Sequence, residues 1–260
     1  MSYANEHEDE STRLEWQAKQ KHYNIYEEFH QLKLKKSSKV LDAGCGSGLL
    51  SRYLLEIEKN LQIDACDFSE LRIQQAKNLS KGAKFSKINF IHADLEKLQI
   101  RDDTYDLIVS RYVYEHLKDP KVVTSELYRV LKKDGEINIV DFDGVFVNLY
   151  STNERFNQLF TIIKNNFLSD LNIGRKLPAI LKQSGFRKIT WSVSAEQFSG
   201  EDLQMEYKNN KERLRLAKKT LTHLLGNYNL AEEFSKLYLE EMLKEENTLF
   251  YNKFIVSAIK

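Results

Sequence analysis

The stretch Val40-Leu41-Asp42-Ala43-Gly44-Cys45-Gly46-Ser47-Gly48 decides the fold of this chain. Its apolar start is typical of a buried parallel strand, because both faces of such a strand pack against the core. Three glycines at alternate positions then remove every Cβ from a turn where a ligand can lie against the backbone. Residues 49–55 continue with helical spacing, so the turn presents free backbone N–H groups at a helix N-terminus. This pattern predicts a binding site for a nucleotide-like ligand.

The spacing of the glycines distinguishes between two classes of cofactor. A dinucleotide fold needs G-x-G-x-x-G, in which the third glycine permits close packing of the helix against the strand. Counted from Gly44, that third glycine falls at position 49, where the chain has Leu49. The observed G-x-G-x-G spacing favours S-adenosylmethionine (SAM) over NAD. An NAD-dependent dehydrogenase stays open as an alternative if the missing glycine is tolerated.

Acidic residues end the next two predicted strands. The second strand ends in Asp67, whose carboxylate suits the two hydroxyls of a ribose, and Phe68 after it is placed to flank an adenine ring. The third strand is predicted over residues 89–95. There, Asp94 suits the exocyclic amine of adenine, and the backbone N–H of Leu95 suits a ring nitrogen.

Two further strands are predicted over residues 105–110 and 136–141, with an amphipathic helix over residues 120–131 between them. With these elements in place, residues 39–143 resemble the class I SAM-dependent methyltransferases, in the broad group of small-molecule enzymes. The matching stretches are VLDAGCGSGLLSRYL, DACDFSE, FIHADLEKL, YDLIVSRYVYEHLKDP and LYRVLKKDGEINIVDFD. Motifs at four strand ends, in the order that the family has, are far more specific evidence than a single glycine turn.

The resemblance implies an α/β fold with a Rossmann-like, seven-stranded sheet in the order 3-2-1-4-5-7-6. Its seventh strand is antiparallel, helices cover both faces, and helical insertions act as lids. SAM would lie across the carboxyl ends of the first strands, at the switch point of an open α/β sheet, and would leave as S-adenosylhomocysteine.

The resemblance also implies cofactor-binding roles for residues that match the family motifs. These residues are Gly44, Cys45, Gly46, Gly48, Asp67, Phe68, Asp94, Leu95 and Ser110. Arg13-Leu14 with Gln17 resembles an Arg-Leu-x-x-Gln pattern of some members, in which this helix covers the cofactor. Arg13 would then approach the methionine carboxylate, and the alternative is a solvated arginine on a packing helix.

The residues after the fourth strand narrow the range of possible methyl acceptors. They read Ser-Arg-Tyr-Val, whereas enzymes that methylate base or amide nitrogens have Asn/Asp-Pro-Pro-Tyr/Phe. This difference disfavours DNA bases and glutamine side chains as acceptors.

Methyl transfer from a sulfonium requires little acid–base chemistry, since the methyl group is already electrophilic. The protein mainly holds acceptor, methyl carbon and sulfur in line and excludes water. A general base is needed only where the acceptor must lose a proton. The main candidates are His116 and Asp141, and Tyr112 is a weaker candidate. Aromatic residues that would line the substrate, with core packing as the alternative for each, are Tyr23, Tyr112, Tyr114 and Phe146.

Length and the position of the insertions predict one methyltransferase domain over residues 1–260. Residues 10–35 are expected to form N-terminal cap helices before the SAM-binding core of residues 39–143. Residues 145–172 are predicted as a lid insertion, and residues 201–246 as a helical insertion through which a homodimer could form.

Composition excludes several other classes of protein. A net charge of +1 argues against a nucleic-acid or anionic-membrane partner. No run of 18 apolar residues exists, and Met1–Glu10 is neither a secretory signal nor a transit peptide, so a cytoplasmic protein is expected. Cys45 and Cys66 are expected to be reduced, and no Cys/His set has metal-ligand spacing.

Three functional hypotheses remain. The first is a methyltransferase that acts on O, N or C of a small organic acceptor. The second is a SAM-binding regulatory protein without catalysis, which the competent residue at every cofactor position disfavours. The third is an RNA or protein methyltransferase, which the near-neutral charge disfavours.

Overall fold

The computed structural model describes residues 9–167 and 169–260. Its strands are β1 (Lys39–Ala43), β2 (Gln62–Asp67), β3 (Ile88–His92), β4 (Tyr105–Arg111), β5 (Leu131–Asp143), β6 (Leu149–Tyr150), β7 (Arg187–Gln197) and β8 (Thr248–Ile259). Its helices are α1 (Glu10–Gln17), α2 (Ile25–Glu28), α3 (Leu49–Ile57), α4 (Glu70–Leu79), α5 (Pro120–Val130), α6 (Glu154–Asn166), α7 (Leu177–Gln183), α8 (Gly200–Leu216), α9 (Lys218–Leu225) and α10 (Tyr228–Met242).

The strands form a sheet in the order β3-β2-β1-β4-β5-β8, and both β6 and β7 pair with β8. Neighbours from β3 to β5 are parallel, whereas β8 is antiparallel to β5 and to β7. With the two-residue strand β6 set aside, β7 is the sixth strand and β8 the seventh. The predicted order 3-2-1-4-5-7-6 with an antiparallel seventh strand is therefore confirmed.

The central strand β1 explains why the sheet forms. Val40 and Leu41 are both fully buried although they point to opposite faces, because helices cover the sheet on each side. β1 pairs with β2 on one edge and with β4 on the other. The chain order thus reverses between β1 and β4, and this reversal opens a crevice at the carboxyl ends of the strands.

The ends of some elements differ from the prediction. β3 ends at His92, so Asp94 and Leu95 lie in the loop after it rather than in the strand. Helix α5 begins at Pro120, where the Asp119 carboxylate caps the first turn, and it ends one residue earlier than predicted. β5 begins at once, at Leu131, because the chain passes directly from helix to strand.

The insertions form a helical layer with a core of its own. The lid segment contributes α6, and the helical insertion contributes α8, α9 and α10. Buried aromatic rings fill the space between them: Phe156 and Phe234 stack with centroids 5.9 Å apart, and Phe160 lies 5.0 Å from Phe156. This core meets the sheet at Phe142 and Tyr251, so the helical layer is fastened to β5 and β8.

Within residues 9–167 and 169–260, no helix combines the length and apolar character needed to cross a bilayer. The same ranges contain no group of three or more His, Cys, Asp or Glu side chains that could hold a metal ion.

Candidate functional site

The glycine turn after β1 requires left-handed backbone. Gly44, Gly46 and Gly48 have φ of +81°, +52° and +76°, which side chains disfavour. A Cβ at Gly44 would lie 2.4 Å from a methyl of Val113, whereas a Cβ at Gly46 would meet no atom within 4 Å. The turn is therefore packed against protein at its start and open at its centre, where a ligand can approach the backbone.

Asp67 at the end of β2 faces this turn. Its carboxylate accepts the backbone N–H groups of Gly46 and Ser69, both at 2.9 Å. Burial raises the pKa of Asp67, and the two backbone hydrogen bonds oppose that rise. The ring of Phe68 beside it is 49% exposed, so it offers a face on which a flat base can stack.

The other predicted cofactor residues lie along the same carboxyl edge. The Asp94 carboxylate accepts the N–H of Glu96 at 2.9 Å and is exposed, while Leu95 is buried. His92 bonds to the carbonyl of Phe68 at 2.8 Å, which ties the ends of β2 and β3 together. The Ser110 hydroxyl donates to the carbonyl of Ala43 at 3.0 Å and holds β4 against β1.

Helix α1 covers the glycine turn. Glu15 accepts from the Ser47 hydroxyl at 2.6 Å and from Arg52 at 2.5 Å, and Gln17, the last residue of the same helix, is buried. Arg13 is buried as well, and it forms a bidentate pair with Glu10 at 2.7 and 2.6 Å. Arg13 is thus not the solvated arginine of the alternative reading, and its role toward a methionine carboxylate stays a prediction.

Asp141 near the end of β5 positions the loop after β4. It is fully buried and accepts the backbone N–H groups of Val113, Tyr114 and Phe142 at 3.1, 2.8 and 2.9 Å. These bonds hold a tight turn in which Tyr112 has a φ of +59°. Burial and the nearby charge of Glu115 raise the pKa of Asp141. Three backbone donors give Asp141 an evident structural task, and proton transfer by it stays a prediction.

His116 lies beside a carboxylate that the sequence pattern did not single out. Its Nε2 is 3.3 Å from Glu115, and its Nδ1 is 3.4 Å from the Ser169 hydroxyl. Burial lowers the pKa of His116, which favours the neutral imidazole at pH 7, and burial raises the pKa of Glu115. A neutral imidazole at this edge can accept a proton, as a general base must.

Two of the four predicted substrate-lining rings come together. Tyr112 stacks on Phe142 with centroids 4.5 Å apart, and Tyr23 meets the same ring edge-on at 5.6 Å. The other two are packed elsewhere. Tyr114 bonds to Thr124 in the core under α5, and Phe146 stacks on a tyrosine of α10 at 4.6 Å. Their positions favour the core-packing alternative for both rings.

A comparison with known protein families identifies the family of the central part of this chain. Residues 41–139 match the model of the methyltransferase domain family. This segment belongs to the class I SAM-dependent methyltransferases. It spans the glycine turn, the ends of β2 and β3, and the loop after β4, whereas helix α1, Asp141 and Phe142 lie outside the matched residues.

Relatives of the methyltransferase domain are named for different acceptors. The chain is 32% identical over 140 residues to a malonyl-[acyl-carrier protein] O-methyltransferase of Bacillus cytotoxicus, covering 54% of this chain and 46% of the relative. It is 35% identical over 113 residues to phosphoethanolamine N-methyltransferase 3 of Arabidopsis thaliana, covering 43% and 22%. The chain thus spans about half, or less, of the length of these curated relatives.

A solved structure shares the fold of the whole chain. Phosphoethanolamine N-methyltransferase 2 of Haemonchus contortus, in complex with phosphomonomethylethanolamine and S-adenosylhomocysteine, superposes with a TM-score of 0.59 at 18% identity. The alignment covers 100% of this chain and 60% of that one. At this identity the likeness shows the fold alone, helical layer included.

A polar face of α8 contacts Arg13 and Tyr23, and the sequence patterns did not single it out. Glu206, Asn209, Asn210 and Arg213 follow the spacing i, i+3, i+4 and i+7, so they share one face of the helix. Glu206 accepts from the hydroxyls of Tyr23 and Tyr251, and Asn209 accepts from Arg13 at 2.7 Å. The sequence signal for these four residues is their shared polar face, which the spacing of apolar residues does not reveal.

Proposed function

We propose that the protein transfers a methyl group from SAM to a small organic acceptor by in-line displacement. The observation that carries the proposal is the contact between Asp67 and the N–H of Gly46, because it places a half-buried carboxylate beside the open centre of a glycine turn. A ribose diol and a methionine chain need those two features side by side.

The residues at this edge fit SAM. Gly46 leaves room for a ligand, Asp67 offers acceptors for hydroxyl groups, and Phe68 offers a ring face. The exposed Asp94 and the N–H of Leu95 suit the polar edge of adenine. When bound, SAM supplies an electrophilic methyl group on a positively charged sulfur.

The chain's own residues would orient the acceptor and keep water out. Tyr112, Phe142 and Tyr23 form an aromatic wall at the ends of β4 and β5, under the helical layer. Holding an acceptor in line against such a wall supplies roughly 7–11 kcal/mol through proximity and orientation. Where the acceptor is a hydroxyl, His116 is the proposed base, since burial favours its neutral form.

The proposed setting is the cytoplasm, and the proposed partner is the small-molecule substrate, without nucleic acid. Cys45 and Cys66 are buried free thiols, as is usual in a reducing compartment. We also propose that a homodimer forms through the helical insertion of residues 201–246, on the basis of the sequence alone.

The test uses methyl-labelled SAM and a host-cell extract, with products separated by molecular size. Titration calorimetry with SAM and S-adenosylhomocysteine is performed first on the same protein. Label in a low-mass fraction supports the proposal, and the mass of that product names the acceptor. Label in RNA or protein supports a macromolecular methyltransferase instead. Cofactor binding without any label leaves two explanations, an extract that lacks the acceptor or a regulatory protein, and absence of cofactor binding contradicts the proposal.

A further inference from the structure

The polar face of α8 contains one cation that differs from its neighbours. Glu206, Asn209 and Asn210 on this face are 2%, 1% and 0% exposed. Arg213, one turn further along, keeps 16% of its side-chain surface accessible. This helix face contacts Arg13 and Tyr23. Burying polar groups is costly unless they are paired, so each group on the face needs a partner.

The carboxylate of Glu206 is satisfied without Arg213. It accepts from Tyr23 at 3.0 Å, Tyr251 at 2.8 Å, Asn209 at 3.0 Å and Asn210 at 2.7 Å. Four donors fill the acceptor sites of a carboxylate. The negative charge of Glu206 is therefore stabilised by neutral groups.

Other buried cations of the site are paired with carboxylates at close range. Arg13 lies 2.6 Å from Glu10, and Arg111 lies 2.6 Å from Glu28. Lys253 lies 3.1 Å from the same glutamate. The charges of these three side chains are used within the protein and are not available to a ligand.

Arg213 lacks such a close partner. Among the described residues, the nearest carboxylate oxygen is that of Glu206, 4.0 Å away. One N–H of its guanidinium donates to the Asn210 side chain at 2.9 Å. Since a guanidinium has five N–H donors, Arg213 retains capacity for further acceptors.

The guanidinium of Arg213 lies close to Tyr23 of the aromatic wall, because it is 4.0 Å from Glu206, whose carboxylate accepts from the Tyr23 hydroxyl at 3.0 Å. Its positive charge lowers the pKa of Glu115 and of His116, which follow β4. The hydroxyls of Tyr23 and Tyr251 lie around it as further hydrogen-bonding groups. A ligand held by Arg213 would thus lie against the aromatic wall described above.

We infer that Arg213 binds the methyl acceptor through an anionic oxygen group, a carboxylate or a phosphate, carried by that acceptor. The planar fork of a guanidinium matches both groups with two parallel hydrogen bonds. The inference rests on the proposed function and adds to it the chemical class of the acceptor and the residue that selects it.

The experiment titrates sodium phosphate and sodium acetate, separately, into the protein saturated with S-adenosylhomocysteine. We expect calorimetry to detect millimolar binding of one anion, weakened at least tenfold in Arg213→Gln. Arg215→Gln is the matched control, because Arg215 is on the same helix but is 51% exposed and pairs with Glu212. Binding of phosphate assigns a phosphorylated acceptor, and binding of acetate assigns a carboxylate.

The outcomes separate this inference from the proposed function. If wild-type protein does not bind S-adenosylhomocysteine, the proposed function fails. If it does, but neither anion binds or Arg213→Gln binds both as wild type does, only the inference is overturned. Arg213→Lys keeps the charge in a less demanding substitution, and we expect it to bind the anion threefold to tenfold more weakly. Unchanged affinity in both Arg213 variants overturns the inference, and thermal melting verifies that each variant is folded.

Discussion

The carboxylate of Asp67 lies 2.9 Å from the backbone nitrogen of Gly46, so the end of β2 and the turn after β1 hold each other in place. We expect Asp67→Ala to weaken binding of S-adenosylhomocysteine at least tenfold. The substitution removes both the proposed ribose acceptor and the group that orients the turn. Isothermal titration calorimetry at pH 7.5 measures the effect.

Asp102→Asn is the control for this substitution. Asp102 is an exposed carboxylate in the loop before β4, at the opposite edge of the sheet, where it pairs with Arg129 at 2.5 Å. Its affinity for S-adenosylhomocysteine should equal that of wild type. Wild-type affinity in Asp67→Ala would contradict the assignment of Asp67 to the cofactor.

The glycines of the turn should separate stability from binding. Gly44→Ala places a Cβ 2.4 Å from Val113 at a φ of +81°, so we expect a loss of about 2–4 kcal/mol in the free energy of unfolding. Gly46→Ala meets no protein atom and should lose only about 1 kcal/mol. Its Cβ enters the proposed cofactor space, so affinity for S-adenosylhomocysteine should fall at least tenfold. Urea unfolding and calorimetry measure the two quantities.

Gly226→Ala is matched to Gly46→Ala. Gly226 ends α9 with a φ of +69°, and a Cβ there also meets nothing within 4 Å. We expect a similar small loss of stability with unchanged affinity. Equal affinities for the two variants would show that the centre of the glycine turn does not face the cofactor.

The sheet could be predicted because its signals are local. The apolar residues Val40 and Leu41, the glycine turn, and Asp67 at a strand end are each read within a few residues of sequence. The end of β3 was placed too late, since the apolar run continues past the last residue that pairs with β2. The loop residues Asp94 and Leu95 resemble strand residues only by composition.

The contacts of the polar face of α8 could not be predicted from local sequence patterns, because they join distant parts of the chain. Glu206 binds Tyr23 across 183 residues and Tyr251 across 45. Asn209 binds Arg13 across 196 residues. Apolar periodicity in α8 indicates the residues that pack in the core, but it does not indicate the polar residues that form these hydrogen bonds. The sequence of this one chain gives no other indication that these positions are in contact.

Glu206 should be required for closure of the helical layer over the site. Glu206→Ala removes the carboxylate that accepts from Tyr23, Tyr251 and two asparagines, of which only Asn210 keeps another acceptor, the backbone carbonyl of residue 206. We therefore expect a loss of about 2–4 kcal/mol in the free energy of unfolding. Limited trypsin digestion should cut the N-terminal segment around Lys19 and Lys21 faster than in wild type. Glu201→Ala, an exposed residue of the same helix, is the control. Wild-type stability in Glu206→Ala would contradict a central role for this carboxylate.

Glu115 and Asp141 should make the stability of the protein fall as the pH rises through neutrality. Burial raises the pKa of each carboxyl group to about 7, and the negative charge of Glu115 adds to the rise at Asp141. The folded state then binds more protons than the unfolded chain between about pH 4 and pH 7, so the free energy of unfolding decreases with rising pH across that interval. The contribution is complete at the acidic end and is lost once both groups are ionised.

Glu115→Gln isolates this contribution, because it removes one carboxylate and lowers the pKa of the other by removing its like charge. Relative to wild type, we expect the decrease in stability between pH 5 and pH 8 to be smaller by about 2 kcal/mol. Urea unfolding at four pH values measures it. Glu245→Gln, an exposed residue after α10, should follow the wild-type curve. The difference between the curves is the informative quantity, because it removes every pH effect that the three proteins share. Parallel curves for wild type and Glu115→Gln would show that the pair is ionised throughout and that its charges are already compensated by Arg13 and Arg213.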